Sequence, residues 1–260
     1  MTAPKISIIT PSFNQVDYIE KAIASVLRQN YANKEHIIID GGSTDGTLTI
    51  LKKYDGIRWL SEKDNGQSHA FNKGFALTDG EIIGWLNSDD LYDKDVFAMV
   101  AEAFANNPDV IAVYGGCTII DKHDHIVAEI PVPDCTFKSM LHKGYSVIAQ
   151  PSVFIKRKYL AEERVVLDET LNYSMDYDLF LRLLRKGPFL RINKNISFFR
   201  MHDTSKTQVS AVKMREESYL VSKKYGGHAI VLDIKLLIDK VRHTPQGRWI
   251  DRKSVVRERV

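Results

Sequence analysis

Apolar positions along the first ninety residues change their period repeatedly. Residues 6–10, Ile-Ser-Ile-Ile-Thr, are a run of strand formers halted by Pro11. Ile19, Ala22, Ile23, Val26 and Leu27 then recur at the spacing of one helix face. Residues 36–39 predict a second strand closed by Asp40-Gly41-Gly42. Ser43 or Thr44 would cap the following helix, whose inner stripe is Leu48, Leu51 and Tyr54. Residues 57–60 predict a third strand and 81–86 a fourth, ending at Asn87-Ser88-Asp89-Asp90. Between them the spacing predicts a helix over 67–77 with Ala70, Phe71, Gly74 and Phe75 inward. Near-continuous apolar strands separated by amphipathic helices describe a parallel sheet covered on both faces.

The middle of the chain reads differently. Apolar runs at 110–114, 117–120 and 126–130 are closely spaced around a polar turn at 121–125, which predicts antiparallel pairing. A strand at 152–155 precedes a helix carrying Leu179, Phe180, Leu183 and Leu184. The expected fold is α/β, a Rossmann-like α/β/α sandwich with a mixed central sheet and a C-terminal helical extension.

Composition narrows the function classes. With 44% apolar and 27% charged residues over 260, the chain has the balance of a soluble globule, so disorder and fibrous repeats are excluded. Thirty-six Lys and Arg against 33 Asp and Glu leave +3, which does not suggest a nucleic-acid partner. The charge is unevenly placed, however. Residues 206–260 hold 13 basic and six acidic side chains, a net of +7, leaving −4 for residues 1–205. We therefore expect a catalytic domain over 1–205 and a basic helical extension over 206–260. Ile230, Leu236, Leu237 and Trp249 are interspersed in that extension, and peripheral contact with an anionic membrane is expected of it. No apolar run reaches the length of a membrane span, and the first 13 residues lack a signal-peptide core, so a cytoplasmic location is expected. Cys117 and Cys135 have no metal-type spacing and read as reduced, buried thiols. Trp59 and Trp85 fall in strands and read as core residues.

The acids carry the chemistry. Asp40 ends the second strand, Asp64 follows the third, and Asp89 and Asp90 follow the fourth. In a parallel sheet those positions share the carboxyl edge, where open α/β folds bind ligands. Converging carboxylates need a cation or polar ligand, and hard oxygen donors suit Mg²⁺ or Mn²⁺ bridging to phosphates. Two other nucleotide motifs fail on spacing. Residues 41–46 have a phosphate-loop skeleton, but Thr47 stands where its Lys belongs, and no G-x-G-x-x-G follows the first strand.

Ser7-Ile8-Ile9-Thr10-Pro11-Ser12-Phe13-Asn14, Ile38-Ile39-Asp40-Gly41-Gly42-Ser43-Thr44-Asp45-Gly46-Thr47 and Asn87-Ser88-Asp89-Asp90 together resemble family 2 glycosyltransferases of the GT-A fold. Ser61-Glu62-Lys63-Asp64-Asn65-Gly66 with Asn72-Lys73-Gly74, Gln150-Pro151-Ser152 and Met175-Asp176-Tyr177-Asp178-Leu179 extend the resemblance over roughly residues 5–205. It implies a nucleotide-diphosphate sugar donor, with UDP as the expected nucleotide, and a glycan or lipid-linked acceptor in cell-surface polysaccharide synthesis. It implies that Thr10, Pro11, Ser12, Asp40, Asp64 and Asn72 line the donor. Asp90 would hold Mn²⁺ or Mg²⁺, and Asp89 the ribose or the metal. Arg200 and His202 match an Arg-x-His ending that would attend the diphosphate, His202 also as a metal ligand. Asp176 matches the catalytic base, which the dipole of its helix would keep ionised, and Asp178 stands as its rival. The chain departs from the pattern at Gly41, Asn87 and Met175, where some relatives carry an acid. Two other readings stand beside this one. A non-catalytic donor-binding subunit would accommodate those departures. A sugar-phosphate nucleotidyltransferase would need a Gly-rich basic loop, and Pro11-Ser12-Phe13-Asn14-Gln15 is not one.

Overall fold

A computed structural model describes residues 3–203, 205–206 and 210–227 of the protein. The chain runs β1 (Ile6–Ser12), α1 (Ile19–Leu27), β2 (Lys34–Asp40), α2 (Thr47–Leu51), β3 (Arg58–Ser61), α3 (Gln67–Leu77), β4 (Ile82–Trp85), β5 (Leu91–Tyr92) and α4 (Val96–Asn106). It continues with β6 (Ala112–Ile120), β7 (Ile126–Ile130), α5 (Phe137–Lys143), β8 (Val153–Lys156), α6 (Arg157–Ala161), α7 (Met175–Leu184), β9 (Phe189–Arg200) and α8 (Ala211–Lys224).

One mixed sheet has the order β3-β2-β1-β4-β8-β6-β9-β5, with β7 also paired to β6. The first four strands are parallel, as their apolar runs predict, and β8 opens the antiparallel part. Alternation divides the core between the faces. Ile9, Ile37 and Ile39 pack with Phe71 of α3 and Leu179 and Leu183 of α7. Ile6 and Ile8 turn the other way, onto Ala22 and Val26 of α1 and Val96 and Val100 of α4.

Three expectations shift on contact with the structure. Pro11 does not end β1, which runs on to Ser12 beside Asp40. Pairing with β4 stops at Ile9, so Pro11 lies where β1 has a neighbour on one side alone, and a missing N–H is tolerated there. The runs at 110–114 and 117–120 are one strand, with its register to β9 shifting around Gly115 and Gly116. A Cβ on Gly116 would come 2.0 Å from Asn195 Oδ1, so the bend needs glycine. Finally, neither Ser43 nor Thr44 caps α2. Gly46, at φ 106°, precedes the helix, and the Asp45 carboxylate accepts from the Thr47 backbone at 2.9 Å.

The charge step at residue 206 does not coincide with a gap in packing. The α8 helix lies against α7, and its Val221 joins the α7 core. Among the described residues, no helix is long and apolar enough to cross a membrane. Ile230, Leu236, Leu237 and Trp249, on which the expected membrane contact rests, lie outside the described residues.

Candidate active site

The parallel arrangement brings the ends of β1, β3 and β4 to one edge, and a cavity of about 520 Å³ opens there. Pro11 and Ser12 line it from the end of β1, Phe13 and Gln15 from the β1–α1 loop, Asp64 and Gly66 from the β3–α3 loop, and Gln67 from the start of α3. That wall is locally locked. The Asn14 N–H donates to Ser43 Oγ at 2.7 Å, and the Gln15 N–H to Thr47 Oγ1 at 2.9 Å, which ties the β1–α1 loop to the β2–α2 loop.

Asn87 organises the floor. Its Oδ1 accepts from Gln67 Nε2 at 2.6 Å and Trp85 Nε1 at 3.0 Å. Its Nδ2 donates to Asp90 Oδ2 at 3.2 Å and Gln150 Oε1 at 3.0 Å. Trp85, expected in the core, is buried but still shows an edge to the cavity.

The expected site residues fall into two groups. Pro11, Ser12, Asp64, Asp89, Asp176 and His202 line the cavity. Thr10, Asp40, Asn72, Asp90 and Arg200 do not; they hold the scaffold beneath it. Thr10 Oγ1 meets the buried His36 ring at 2.9 Å. The Asp40 carboxylate accepts from the backbone of Gly42 and Ser43 and from the hydroxyls of Ser43 and Ser61, which leaves it saturated. Asn72 brackets Leu167, donating to its carbonyl and accepting from its N–H, both at 2.9 Å.

Asp90, expected to hold the metal, lies beneath the cavity and does not line it. It is 1% exposed, and its carboxylate accepts from the Arg200 backbone at 3.0 Å and from Asn87. Burial, and the Asp89 charge beside it, push its pKa well above the usual carboxylate range. Arg200, expected to attend the diphosphate, is likewise buried beneath the cavity. It is 0% exposed, stacks over Tyr18 at 5.1 Å, and donates to the Asp89 carbonyl, the Asp121 carbonyl and Asp124. Its guanidinium pins the loop that presents Asp89 and does not reach the cavity.

Asp89 and His202 remain for a cation. Asp89 Oδ2 and His202 Nε2 lie 3.0 Å apart on the cavity wall. Among the described residues no three His, Cys, Asp or Glu converge into a cage. One carboxylate and one imidazole are nevertheless a fitting donor set for Mn²⁺ or Mg²⁺ when phosphate oxygens complete the shell.

Asp176 lies in the first turn of α7 and faces the cavity. Burial lifts its pKa to about 6, against the opposing pull of the Tyr177 and Asp176 backbone N–H groups, and the Glu217 charge adds to the rise. Desolvation thus outweighs the helix dipole that was expected to keep it ionised. Its rival Asp178 is 1% exposed and turned away from the cavity. Arg182 Nε, Lys224 Nζ and Tyr225 Oη each reach its carboxylate at 2.9 Å.

Comparison with known proteins fits this geometry. A family model described as glycosyl transferase family 2 matches residues 7–163, more than half of the chain. The chain belongs to that family.

An uncharacterized glycosyltransferase of Rickettsia typhi is 31% identical over 236 residues, covering 85% of this chain and 71% of its own. The chondroitin synthase of Escherichia coli is 28% identical over 83% of this chain, which spans only 32% of that enzyme. Among solved structures, S. aureus TarS residues 1–349 in complex with UDP-GlcNAc align at a TM-score of 0.68, with 17% identity, over 94% of this chain and 74% of theirs. The mannosyltransferase PcManGT from Pyrobaculum calidifontis, in complex with GDP-Man and Mn²⁺, aligns at 0.65 with 16% identity, over 93% of this chain and 70% of its own. These likenesses show the GT-A-type fold.

In this family 2 glycosyltransferase, sequence reasoning missed Gln67, Tyr173, Lys206 and Met214, all of which line the cavity. Lys206 Nζ donates to Gln67 Oε1 at 3.1 Å and to the Asn172 carbonyl at 3.3 Å. Burial lowers its pKa, opposed by the negative charges of Glu217, Asp64 and Asp89. Nothing in its local sequence marks it out. Its place follows from where β9 delivers the chain.

Proposed function

We propose that the protein is an inverting glycosyltransferase that moves a sugar from a UDP-sugar to a hydroxyl of a glycan or lipid-linked acceptor in cell-surface polysaccharide synthesis. The observation that carries this reading is that one cavity holds both a cation-type donor pair, Asp89 and His202, and a carboxylate with a pKa of about 6, Asp176. The UDP-GlcNAc bound by TarS and the polysaccharide named for the chondroitin synthase support the donor and product classes.

In the reaction the acceptor oxygen forms a bond to the anomeric carbon while the bond from that carbon to the diphosphate oxygen breaks. Asp176 takes the hydroxyl proton, and a pKa near neutrality suits a general base because it is ionised at pH 7 yet still basic. The locked β1–α1 loop positions the nucleotide, and Lys206 offers a positive charge to the departing diphosphate. Asp89 and His202 would hold Mn²⁺ or Mg²⁺, which neutralises phosphate charge.

Incubation with a panel of nucleotide sugars and crude glycan acceptors, in Mn²⁺, Mg²⁺ or EDTA, should release UDP from one donor in a metal-dependent manner, with the anomeric configuration inverted in the product. No binding or turnover of any donor with either ion would overturn the reading. For the basic segment 206–260 the proposal includes reversible contact with an anionic membrane surface. The full chain should sediment with anionic but not neutral vesicles at low salt and be released at high salt. Equal recovery in the supernatant with both vesicle types would remove the membrane from the proposal.

A further inference from the structure

Asp176 sits on the first turn of α7, and the backbone on either side of it is held by α8, which lies beyond the part of the chain that the family model matches. On one side, the Glu217 carboxylate accepts from three consecutive N–H groups, those of Asn172, Tyr173 and Ser174, at 2.8, 2.5 and 2.6 Å. Ser174 and Ser218 also share a hydroxyl hydrogen bond at 2.7 Å. On the other side, Lys224 and Tyr225 at the end of α8 grip the buried carboxylate of Asp178. Met214, one turn before Glu217, and Lys206, just ahead of the helix, complete the cavity wall.

Three successive N–H groups converging on one carboxylate cannot be satisfied by rotating one peptide, so they fix the path of the chain into α7. A charge-assisted hydrogen bond is roughly twice as strong as a neutral one. Among the described residues no other carboxylate accepts from these three N–H groups, and α7 has no side-chain cap of its own. The direction of the Asp176 carboxylate therefore depends on a residue 41 positions further along the chain.

We infer that Glu217 is a positioning residue for Asp176, and that α8 is a working part of the active site. This rests on the proposed role of Asp176 as the base. Displacement of a reacting group by about 1 Å costs roughly 10²-fold in rate, because a near-attack geometry is lost. Donor binding is built chiefly on the ends of β1, β3 and β4, and the clamp reaches it only through Lys206, whose Nζ donates to the Asn172 carbonyl. The Glu217 charge also bears on Asp176 directly. Lys206, Asp64, Asp89, His202 and Tyr173 are the other charged or titratable groups lining the same cavity.

The test uses the full chain with Glu217→Gln and Glu217→Ala, and Lys213→Ala as an exposed control on the same helix. Glu217→Gln keeps the size of the side chain and one acceptor oxygen. It should fold, bind UDP with Mn²⁺ within twofold of the parent, and lose roughly 10-fold to 10²-fold in kcat. The acid limb of its kcat profile should move to lower pH, since a neighbouring negative charge has been removed. Glu217→Ala should be slower still, and both variants should exchange the amide hydrogens of residues 172–174 faster. Lys213→Ala should match the parent throughout.

A folded Glu217→Gln with parental kcat and an unmoved acid limb overturns the inference, as does a loss of UDP affinity equal to the loss of rate. If the parent itself turns over no nucleotide sugar, the functional reading fails separately. Hydrogen exchange then decides the clamp, and unchanged protection of residues 172–174 in both variants refutes it.

Discussion

The wall of the cavity built by β1 to β4 and the wall built by α7 and α8 are held together in different ways. In the first, the groups sit at or just past the ends of strands, and the β1–α1 loop is tied to the segment after β2, as Asn14 is to Ser43 and Gln15 to Thr47. In the second, the decisive contacts join distant segments, such as Glu217 to residues 172–174 and Lys206 to Gln67. A sheet edge is a topological address that any sequence with the right periodicity reaches. A clamp between two helices depends on single contacts and can be lost by single changes.

The largest expected effect probes the second wall. Asp176→Asn should lower transfer by roughly 10²- to 10⁴-fold while leaving UDP affinity within twofold. Parallel titrations and initial rates check this, and near-parental turnover would dissolve the distinction drawn between the walls.

The same substitution should stabilise the protein. Asp176 has a pKa of about 6 in the folded chain against an ordinary 3.8, so the folded state binds its proton more tightly than the unfolded state. That contribution is fully present below pH 3.8 and is lost as pH rises through 6. At pH 7 the charged form therefore opposes folding, by up to about 3 kcal/mol before solvent screening at the cavity is counted. Asp176→Asn should raise Tm at pH 7 and lose that advantage near pH 3.8, as thermal melts across pH would show.

The first wall should instead respond to packing. A Cβ on Gly74 of α3 would come 2.5 Å from Ile9 Cγ2 on β1 and 3.3 Å from Ile39 Cγ1 on β2. Gly74→Ala should cost about 1–3 kcal/mol in urea unfolding, the range for overpacking a tight core. The smallest effect belongs to the cation. Asp89→Asn should weaken UDP binding in Mn²⁺ on the order of tenfold, the low end for disturbing a metal site, and EDTA should erase the difference between variant and parent.

The two walls were unequally legible. Periodicity located β1 to β4 and placed α3 at residues 67–77 because burial on both faces leaves a strong apolar signal. It also brought Asp64 and Asp89 to the cavity edge, and the family resemblance added Asp176. It could not separate a carboxylate aimed outward from one aimed inward. Asp40 and Asp90 occupy strand ends just as Asp64 and Asp89 do, but donors from Ser43, Ser61 and the Arg200 backbone claim them. The same holds for Arg200 and Asn72, whose partners lie 76 to 111 and 95 to 97 positions away. Glu217 was invisible for the opposite reason. In sequence it is an ordinary acid on a basic helix, and only packing gives it three amides to hold.

Asn87 carries an implication for how this chain could change over generations. Its side-chain amide uses all four of its hydrogen-bonding positions, accepting from Gln67 and Trp85 and donating to Asp90 and Gln150. An aspartate there would keep both accepted bonds and turn both donated ones into oxygen facing oxygen. A change to the acid carried by some relatives is therefore costly unless Asp90 is protonated and residue 150 changes with it. Changes around position 87 are therefore expected to be tolerated together more readily than singly.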